Sequence, residues 1–224
     1  LVDCDPQGSL TASWGVKDVE GDSLAEVLGS SSPGSKSLAD ILVGISENLY
    51  LAPADIALSR AELGLVTRIG RENTLKRALA TMDGAFDVVL IDSPPSLGLL
   101  TVNTLTAADA VLIPTQPQIV DLRGLRLFLE TVGELRGALN EGLEILGILL
   151  TFYDGRLIHH RSAVRAMEKA GLPVLPVQIG RSVRVAEAAS EGESVVTYEP
   201  DNKRALEYRA LGEVVDTWLS DAEK

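Results

Sequence analysis

Apolar residues in this chain gather into short unbroken runs that end at acids, prolines or glycines, with longer stretches of helical spacing between them. The clearest run is Val88 to Ile91, which Asp92 closes and Pro94-Pro95 follow. Four apolar residues without alternation predict a strand buried on both faces. Proline has no backbone donor and stops the ladder. Leu1-Val2-Asp3-Cys4-Asp5-Pro6-Gln7-Gly8 repeats the logic of strand end, acids and forced exit. Further strands are expected at Leu49 to Ala52, Ala110 to Ile113, Leu143 to Thr151 and Val174 to Ile179.

Helical spacing fills the intervals. Leu24, Val27 and Leu28 predict a brief helix, and Ser37 to Val43 starts another. Leu75, Ala78, Leu79 and Met82 mark an amphipathic helix over Glu72–Met82, and Leu99 to Ala107 forms one that contains Asn103. Leu122, Leu125, Leu129, Val132 and Leu135 trace one face of a long helix over Asp121–Leu139. Leu157 to Ala170 is helical, with Gly171 as its stop and Pro173 beyond. A short helix or turn at Arg181 to Ser190 and a closing helix from Asn202 to Leu219 complete the pattern. Ser30-Ser31-Ser32-Pro33-Gly34-Ser35 is the plainest loop, and no internal repeat is visible. Strand and helix alternate from end to end. The expected fold is therefore a doubly wound, mostly parallel α/β sheet, one domain over residues 1–224.

In such a sheet ligands collect at the carboxyl ends of the strands. The loops at Asp5, Asp92, Thr115 and Thr151 are expected to share that edge, with two acidic points on it. A carboxylate there suits Mg²⁺ held through water, because Mg²⁺ keeps most of its hydration shell. An ordinary strand-to-turn junction capped by Asp explains each acid separately.

Composition narrows the class. With 224 residues, 46% of them hydrophobic, the chain has material for a full core without disulfides or structural metal. The single cysteine, Cys4, excludes a disulfide framework and suits a reducing cytoplasm. No apolar run approaches the roughly 18 residues of a membrane span, and no signal peptide is visible. A net charge of −12 argues against a broadly basic nucleic-acid binder but leaves room for a local basic patch on an assembled dimer.

Several motifs, taken in order, resemble those of the ParA/Soj partition ATPases. Leu-Val-Asp-Cys-Asp-Pro-Gln-Gly at 1–8 resembles the family's second motif, and Asp-Val-Val-Leu-Ile-Asp-Ser-Pro-Pro-Ser-Leu at 87–97 its Walker B segment. Asn103 with Leu105 is similar to its Asn-Ala-Leu segment, and Gly147 to Arg156 to the strand and turn near the nucleotide base. Arg181 to Glu187 is similar to its late arginine-bearing segment.

The resemblance implies a P-loop NTPase fold of the deviant Walker type and an Mg-ATP-dependent ATPase. It implies an ATP-dependent homodimer that binds DNA nonspecifically in the cytoplasm, at the nucleoid, and answers a ParB-type stimulating partner. Residue by residue, it makes Asp5 the catalytic aspartate that positions the attacking water. Asp92 becomes the Walker B ligand of Mg²⁺ through water, with Asp3 close to the same hydration shell. Thr151, Phe152 and Tyr153 fall on the nucleotide-binding side, and Arg181 and Arg184 on the DNA-binding side. Phosphoryl transfer depends on positioning and charge neutralisation more than on a strong base, which suits an aspartate.

Two departures stand out. The family's Gly-Lys-Gly-Gly-Val-Gly-Lys-Thr loop is absent, and Leu1-Val2-Asp3 already reads as the end of a strand. The expectation is that a first strand and P-loop have been lost and that the chain as written neither binds ATP tightly nor hydrolyses it. Gln178-Ile179-Gly180 stands where the family more often has Ile-Pro-Arg, which unsettles base contacts there.

Other candidates are weaker. His159 and His160 lack metal spacing and suit surface or capping roles, and Cys4 reads as a small core residue. Arg181 and Arg184 would share a face if their segment is helical, or Arg184 would pair with Glu187 or Glu191. Phe152 and Tyr153 fit adenine flanking and core packing about equally. Ser93 and Ser96 lack a nucleophile elbow. Two further classes remain. A membrane-associated MinD-like positioning ATPase needs a basic amphipathic end, whereas Val214 to Lys224 is acidic, so no stable membrane association is expected. The other is an ATP-dependent metabolic enzyme of the same superfamily: an iron protein lacks its cysteines here, while an amide or biotin-pathway ligase stays open.

Overall fold

Paired strand ends organise the first part of the computed structural model, which describes residues 1–224 except 20, 30–35, 119–120 and 223–224, with backbone only at 121–123 and 222. The serine-rich loop at 30–35 and the side chain of Leu122 therefore lie outside the described residues. The chain forms two compact units, Leu1–Asp109 with Glu134–Leu143 and Ala110–Gly133 with Glu144–Lys224.

In the first unit β1 (Val2–Asp3) is followed by α1 (Ser9–Ser13), α2 (Leu24–Gly29) and α3 (Leu38–Ile41). Then come β2 (Val43–Ser46), β3 (Leu49–Leu51), α4 (Ala57–Leu65), α5 (Thr74–Ala80), β4 (Ile91–Asp92) and α6 (Leu99–Ala107). β1 and β4 pair in parallel, with Val2 opposite Ile91 and Asp3 opposite Asp92. On the other side of β1, Val2 bridges Ala52 in parallel, just past β3. Cys4, Leu24, Leu28, Leu58, Leu65, Leu75 and Leu100 form the fully buried centre of this unit.

Three differences from the sequence pattern stand out. Val88, Val89 and Leu90 are 44, 41 and 56% exposed, so this run is not a strand buried on both faces. Among the described residues β4 is two residues long and pairs only with β1, which leaves its other edge and the run before it uncovered. The stretch after Ile41 is extended rather than helical, and β2 pairs antiparallel with β3 as a small hairpin. α4 was not expected; it buries Leu58, Ala61 and Leu65 on one face.

The second unit holds β5 (Ala110–Thr115), most of α7 (Asp121–Ala138), β6 (Glu144–Leu150), α8 (Ile158–Lys169) and β7 (Val174–Gln178). It ends in α9 (Val183–Ser190), α10 (Val195–Tyr198) and α11 (Lys203–Ala222). Its sheet is parallel throughout, in the order β5–β6–β7. Leu125 of α7 and Met167 of α8 pack with Ile113, Ile148 and Leu150. Tyr208, Leu211 and Val214 of α11 pack against Leu149, Leu175 and Ile179. Helices thus cover apolar strands in a parallel α/β arrangement, as the alternation of elements predicts.

Candidate functional site

The parallel register of β1 and β4 sets two acidic strand ends side by side. Cys4 N–H donates to the Asp92 carbonyl at 2.8 Å, so the chain is still hydrogen-bonded to β4 one residue beyond Asp3. Asp3 has no solvent exposure. Its Oδ1 accepts from Asp5 N–H at 3.1 Å, and its Oδ2 accepts from the N–H and hydroxyl of Thr11 at 2.8 and 2.7 Å. With both oxygens engaged and no path to solvent, Asp3 holds the loop together and does not face a hydrated ion.

Asp5 is half-buried. Its Oδ1 accepts from Gln7 N–H at 2.9 Å, closing a turn of the kind Asp favours. No hydrogen bond reaches its Oδ2 among the described residues. The chain then passes through Gly8 at φ +61°, where a Cβ would come within 2.9 Å of the Ala54 carbonyl oxygen. Only glycine meets both demands at low cost.

Asp92 is exposed. Partial desolvation, followed by the charges of Asp3 and Asp5, raises its pKa above the ordinary carboxylate value. A nearby cation would relieve that repulsion. Beside it, Leu1, Ser9, Leu10, Ser13, Leu90, Ile91 and Asp92 line a cleft of about 440 Å³. The loop after Asp92 is anchored by Thr101, whose hydroxyl lies 3.3 Å from the Pro94 carbonyl and 2.5 Å from that of Ser96. Glu62 of α4 accepts from Leu100 N–H at 3.2 Å at the start of α6. Neither anchor was legible in sequence, since each joins segments with no shared motif.

Among the described residues no group of three or more His, Cys, Asp or Glu is arranged to hold a metal. The donor set fits Mg²⁺ in one way only: an exposed Asp92 carboxylate reaching the ion's water shell, with other oxygens supplied by nucleotide and solvent. Asp3 does not fit that role.

Asn103 is buried and structural: its side chain accepts from Leu75 N–H at 3.1 Å and donates to the Leu99 carbonyl at 2.9 Å. Cys4 is fully buried, as its sequence context predicts.

In the second unit Thr151 follows β6 and donates its N–H to the Thr115 carbonyl at 2.9 Å. Phe152 takes φ +52° and is 52% exposed, an uncommon conformation for an aromatic residue. Tyr153 turns inward against the core beside Ile148 and Met167. The next residues form a rigid surface turn: the Arg156 guanidinium grips the Asp154 carboxylate at 2.8 Å and holds its pKa well below the usual range. His160 Nδ1 accepts from Asp154 N–H at 3.0 Å, the capping role its sequence context allows.

Arg181 and Arg184 do not share a helix face, because Arg181 precedes the cap of α9. Ser182 is that cap, accepting from Arg184 N–H at 3.1 Å. Arg181 is exposed and makes no ion pair among the described residues. Arg184 pairs with Glu187 at 2.7 Å and with Glu199 at 3.5 Å.

A parallel α/β framework with aspartates at neighbouring strand ends is compatible with the fold of P-loop NTPases. Residues 1–145 match a family model described as an AAA domain. Over 219 residues the chain is 39% identical to the sporulation initiation inhibitor protein Soj of Bacillus subtilis, covering 96% of this chain and 85% of Soj. It is 44% identical over 220 residues to an uncharacterised protein of Mycobacterium tuberculosis, covering 96% of this chain and 68% of that protein. A crystal structure of cobyrinic acid a,c-diamide synthase from Mycobacterium smegmatis superimposes with a TM-score of 0.82 at 39% identity, covering 97% of this chain and 81% of that one. The chain belongs to the ParA/Soj family of chromosome-partitioning ATPases.

Proposed function

We propose that this protein is a partition switch: it binds Mg-ATP, dimerises in the ATP state, holds DNA without sequence preference and releases it when a ParB-type partner stimulates hydrolysis. In this reading residues 1–224 act as one ATPase domain in the cytoplasm, at the nucleoid. The observation that carries it is the pairing of β1 with β4, which brings the carboxylates of Asp5 and Asp92 to one strand edge. Asp92 meets the Mg²⁺ hydration shell. Asp5, with an oxygen left over from its turn, orients the attacking water. Asp3 is a positioning residue that fixes the Asp5 backbone. Thr151 and the exposed Phe152 lie on the base side, with Tyr153 supporting them from the core. Arg181 meets phosphate directly, and Arg184 does so only after leaving Glu187.

No helix among the described residues is long and apolar enough to cross a membrane. The acidic closing segment gives no support to the MinD-like alternative.

The sequence contains no Gly-Lys-Gly-Gly-Val-Gly-Lys-Thr loop. The test therefore compares the 224-residue chain with one carrying a P-loop strand ahead of Leu1. Slow ATPase activity, raised by DNA and partner, is expected only from the longer chain. Micromolar ATP binding by the shorter chain would overturn the assignment of nucleotide affinity to that loop.

One observation favours a second reading. The M. smegmatis relative has also been solved with an ATP analog and magnesium under the name of an amide-forming synthase. An ATP-dependent amidation predicts turnover that requires a carboxylate substrate and a nitrogen donor and ignores DNA. The same assay separates the two.

A further inference from the structure

The stretch Gln178-Ile179-Gly180, where the sequence leaves the family pattern, is tied to two other parts of the second unit. Ile179 N–H donates to the Leu150 carbonyl at 2.8 Å, and its own carbonyl accepts from Tyr153 N–H at 3.0 Å. This residue joins the end of β6 to the turn carrying Phe152. The next residue reaches α11 instead: Gly180 N–H donates to Glu207 Oε2 at 2.9 Å. That same oxygen lies 3.1 Å from Arg204 Nη1. The two side chains are only 14 and 20% exposed, so the pair is shielded from most solvent and salt.

The absence of a side chain at Gly180 also makes room for Arg204. A Cβ there would fall 1.4 Å from Arg204 Nη1, so the guanidinium fills the volume that a side chain at 180 would occupy. A proline in this stretch fixes φ through its ring but offers no N–H. A glycine is loose and needs an external hold. Here that hold is the charge-assisted hydrogen bond that Gly180 N–H donates to a carboxylate itself paired with arginine.

We propose that Arg204 and Glu207 form a bracket on α11 that positions the segment from Ile179 to Arg184, replacing the rigidity of a proline. The bracket sets where Arg181 and the capped start of α9 stand relative to the turn at Thr151 to Tyr153. Both are positioning residues, since neither touches the base-side turn or the exposed Arg181. The functional arm of this inference rests on the reading of Arg181 and Arg184 as DNA contacts.

The test uses Glu207→Ala, Glu207→Gln and a control, Ala163→Gly, which weakens the buried face of α8 away from the bracket. Amide exchange at Gly180 is read by NMR. Affinity for a duplex of arbitrary sequence is read against salt, using the P-loop-bearing chain with Mg-ATP. Glu207→Ala should speed Gly180 exchange at least about tenfold, as a lost local bond does. Glu207→Gln keeps an acceptor and should stay within about threefold of the parent. DNA affinity should fall about tenfold in Glu207→Ala with the salt slope unchanged, because no phosphate contact is lost, whereas Arg181→Ala should lower the slope by about one.

Ala163→Gly should alter neither readout; a matching loss of DNA affinity in it would make the bracket merely structural and overturn the proposal. So would wild-type Gly180 protection in Glu207→Ala. If the parent shows no salt-dependent DNA binding, the DNA reading falls by itself and the exchange arm still decides the bracket.

Discussion

Asp3 and Thr11 are locked together at the end of β1: one carboxylate oxygen accepts both the backbone N–H of Thr11, at 2.8 Å, and its hydroxyl, at 2.7 Å. The hydroxyl in turn accepts from Ala54 N–H at 3.0 Å, so Thr11 is the junction between β1, α1 and the chain after β3. Thr11→Val keeps the shape but leaves Asp3 one donor short and the Ala54 N–H unpaired. A loss of about 2–3 kcal/mol is expected from stranding buried polar groups. Urea denaturation should show it, with Thr11→Ser close to the parent; a Thr11→Val protein of parental stability would mean that Asp3 is held by something else.

Gly8 links that junction to Asp5. Alanine at this position must adopt φ +61° and also push a Cβ toward the Ala54 carbonyl oxygen, 2.9 Å away. The conformational strain costs about 1–2 kcal/mol, with the clash added to it. Gly8→Ala should lower the denaturation midpoint by a comparable amount. Gly15, also at positive φ but with open space where a Cβ would stand, should lose less on the same substitution.

Much of this was readable from the chain. Apolar runs stopped by proline gave β1 and the end of β4, and periodicity gave α5, α6 and α8 within a few residues. The failures are instructive. Val88 to Leu90 have the composition of a buried strand, but burial depends on neighbours on both sides, and the pattern of one strand says nothing of those. α4 carries the spacing of Leu58, Ala61 and Leu65, but this short pattern follows directly on a segment that reads as a turn at Pro53. Roles were harder still. Asp3 and Asp5 look alike in sequence, and only the distant Thr11 shows that one carboxylate is saturated by donors while the other has an oxygen to offer. The pairing of Arg184 with Glu187 was within reach of the sequence, whereas its second partner, Glu199, lies beyond α9 and carries no local signal.

Cys4 offers a test by pH. Burial, reinforced by the negative charges of Asp3, Glu62, Asp92 and Asp5, pushes its thiol up to about 12. The unfolded thiol ionises near pH 8.5, so the folded chain keeps a proton that the unfolded chain gives up. The associated stability is complete below the unfolded value and is lost as pH rises toward 12. Cys4→Ala should therefore show a shallower decline in stability above pH 9 than the parent. Equal slopes would place the thiol in a more open setting.

Asp92 should respond in the opposite range. Its raised pKa means that the ionised form is disfavoured in the folded chain without a bound cation. Its stabilising share is present below the unfolded carboxylate value and lost as pH rises through the folded one. Asp92→Asn should accordingly raise the melting temperature at pH 7, and the gain should fade as the solution is acidified and the parent carboxylate protonates. In the P-loop-bearing chain, Mg²⁺ with ATP should narrow the difference, since the cation offsets the repulsion that the substitution removes. A parent and an Asp92→Asn variant that melt together at pH 7 would detach Asp92 from the acidic pair.

The sharpest prediction concerns Asp5, because its backbone and its side chain do different things. Its N–H is bonded to Asp3, a link that any residue at position 5 retains. Its Oδ1 closes the turn to Gln7, which asparagine can also do. Only the remaining oxygen, with its negative charge, is available to hold a water. Asp5→Asn should thus keep the loop and near-parental stability, while Asp5→Ala gives up the turn bond as well. Both, built in the P-loop-bearing chain, should bind ATP and dimerise like the parent yet hydrolyse at least about a hundredfold more slowly, the scale expected when a reacting group loses its orientation. Parental turnover in Asp5→Asn would remove Asp5 from the reaction, whereas loss of ATP binding would move it to the metal. A slow but DNA-responsive Asp5→Asn protein that stays on DNA after the partner is added would show that hydrolysis, not binding, resets the switch.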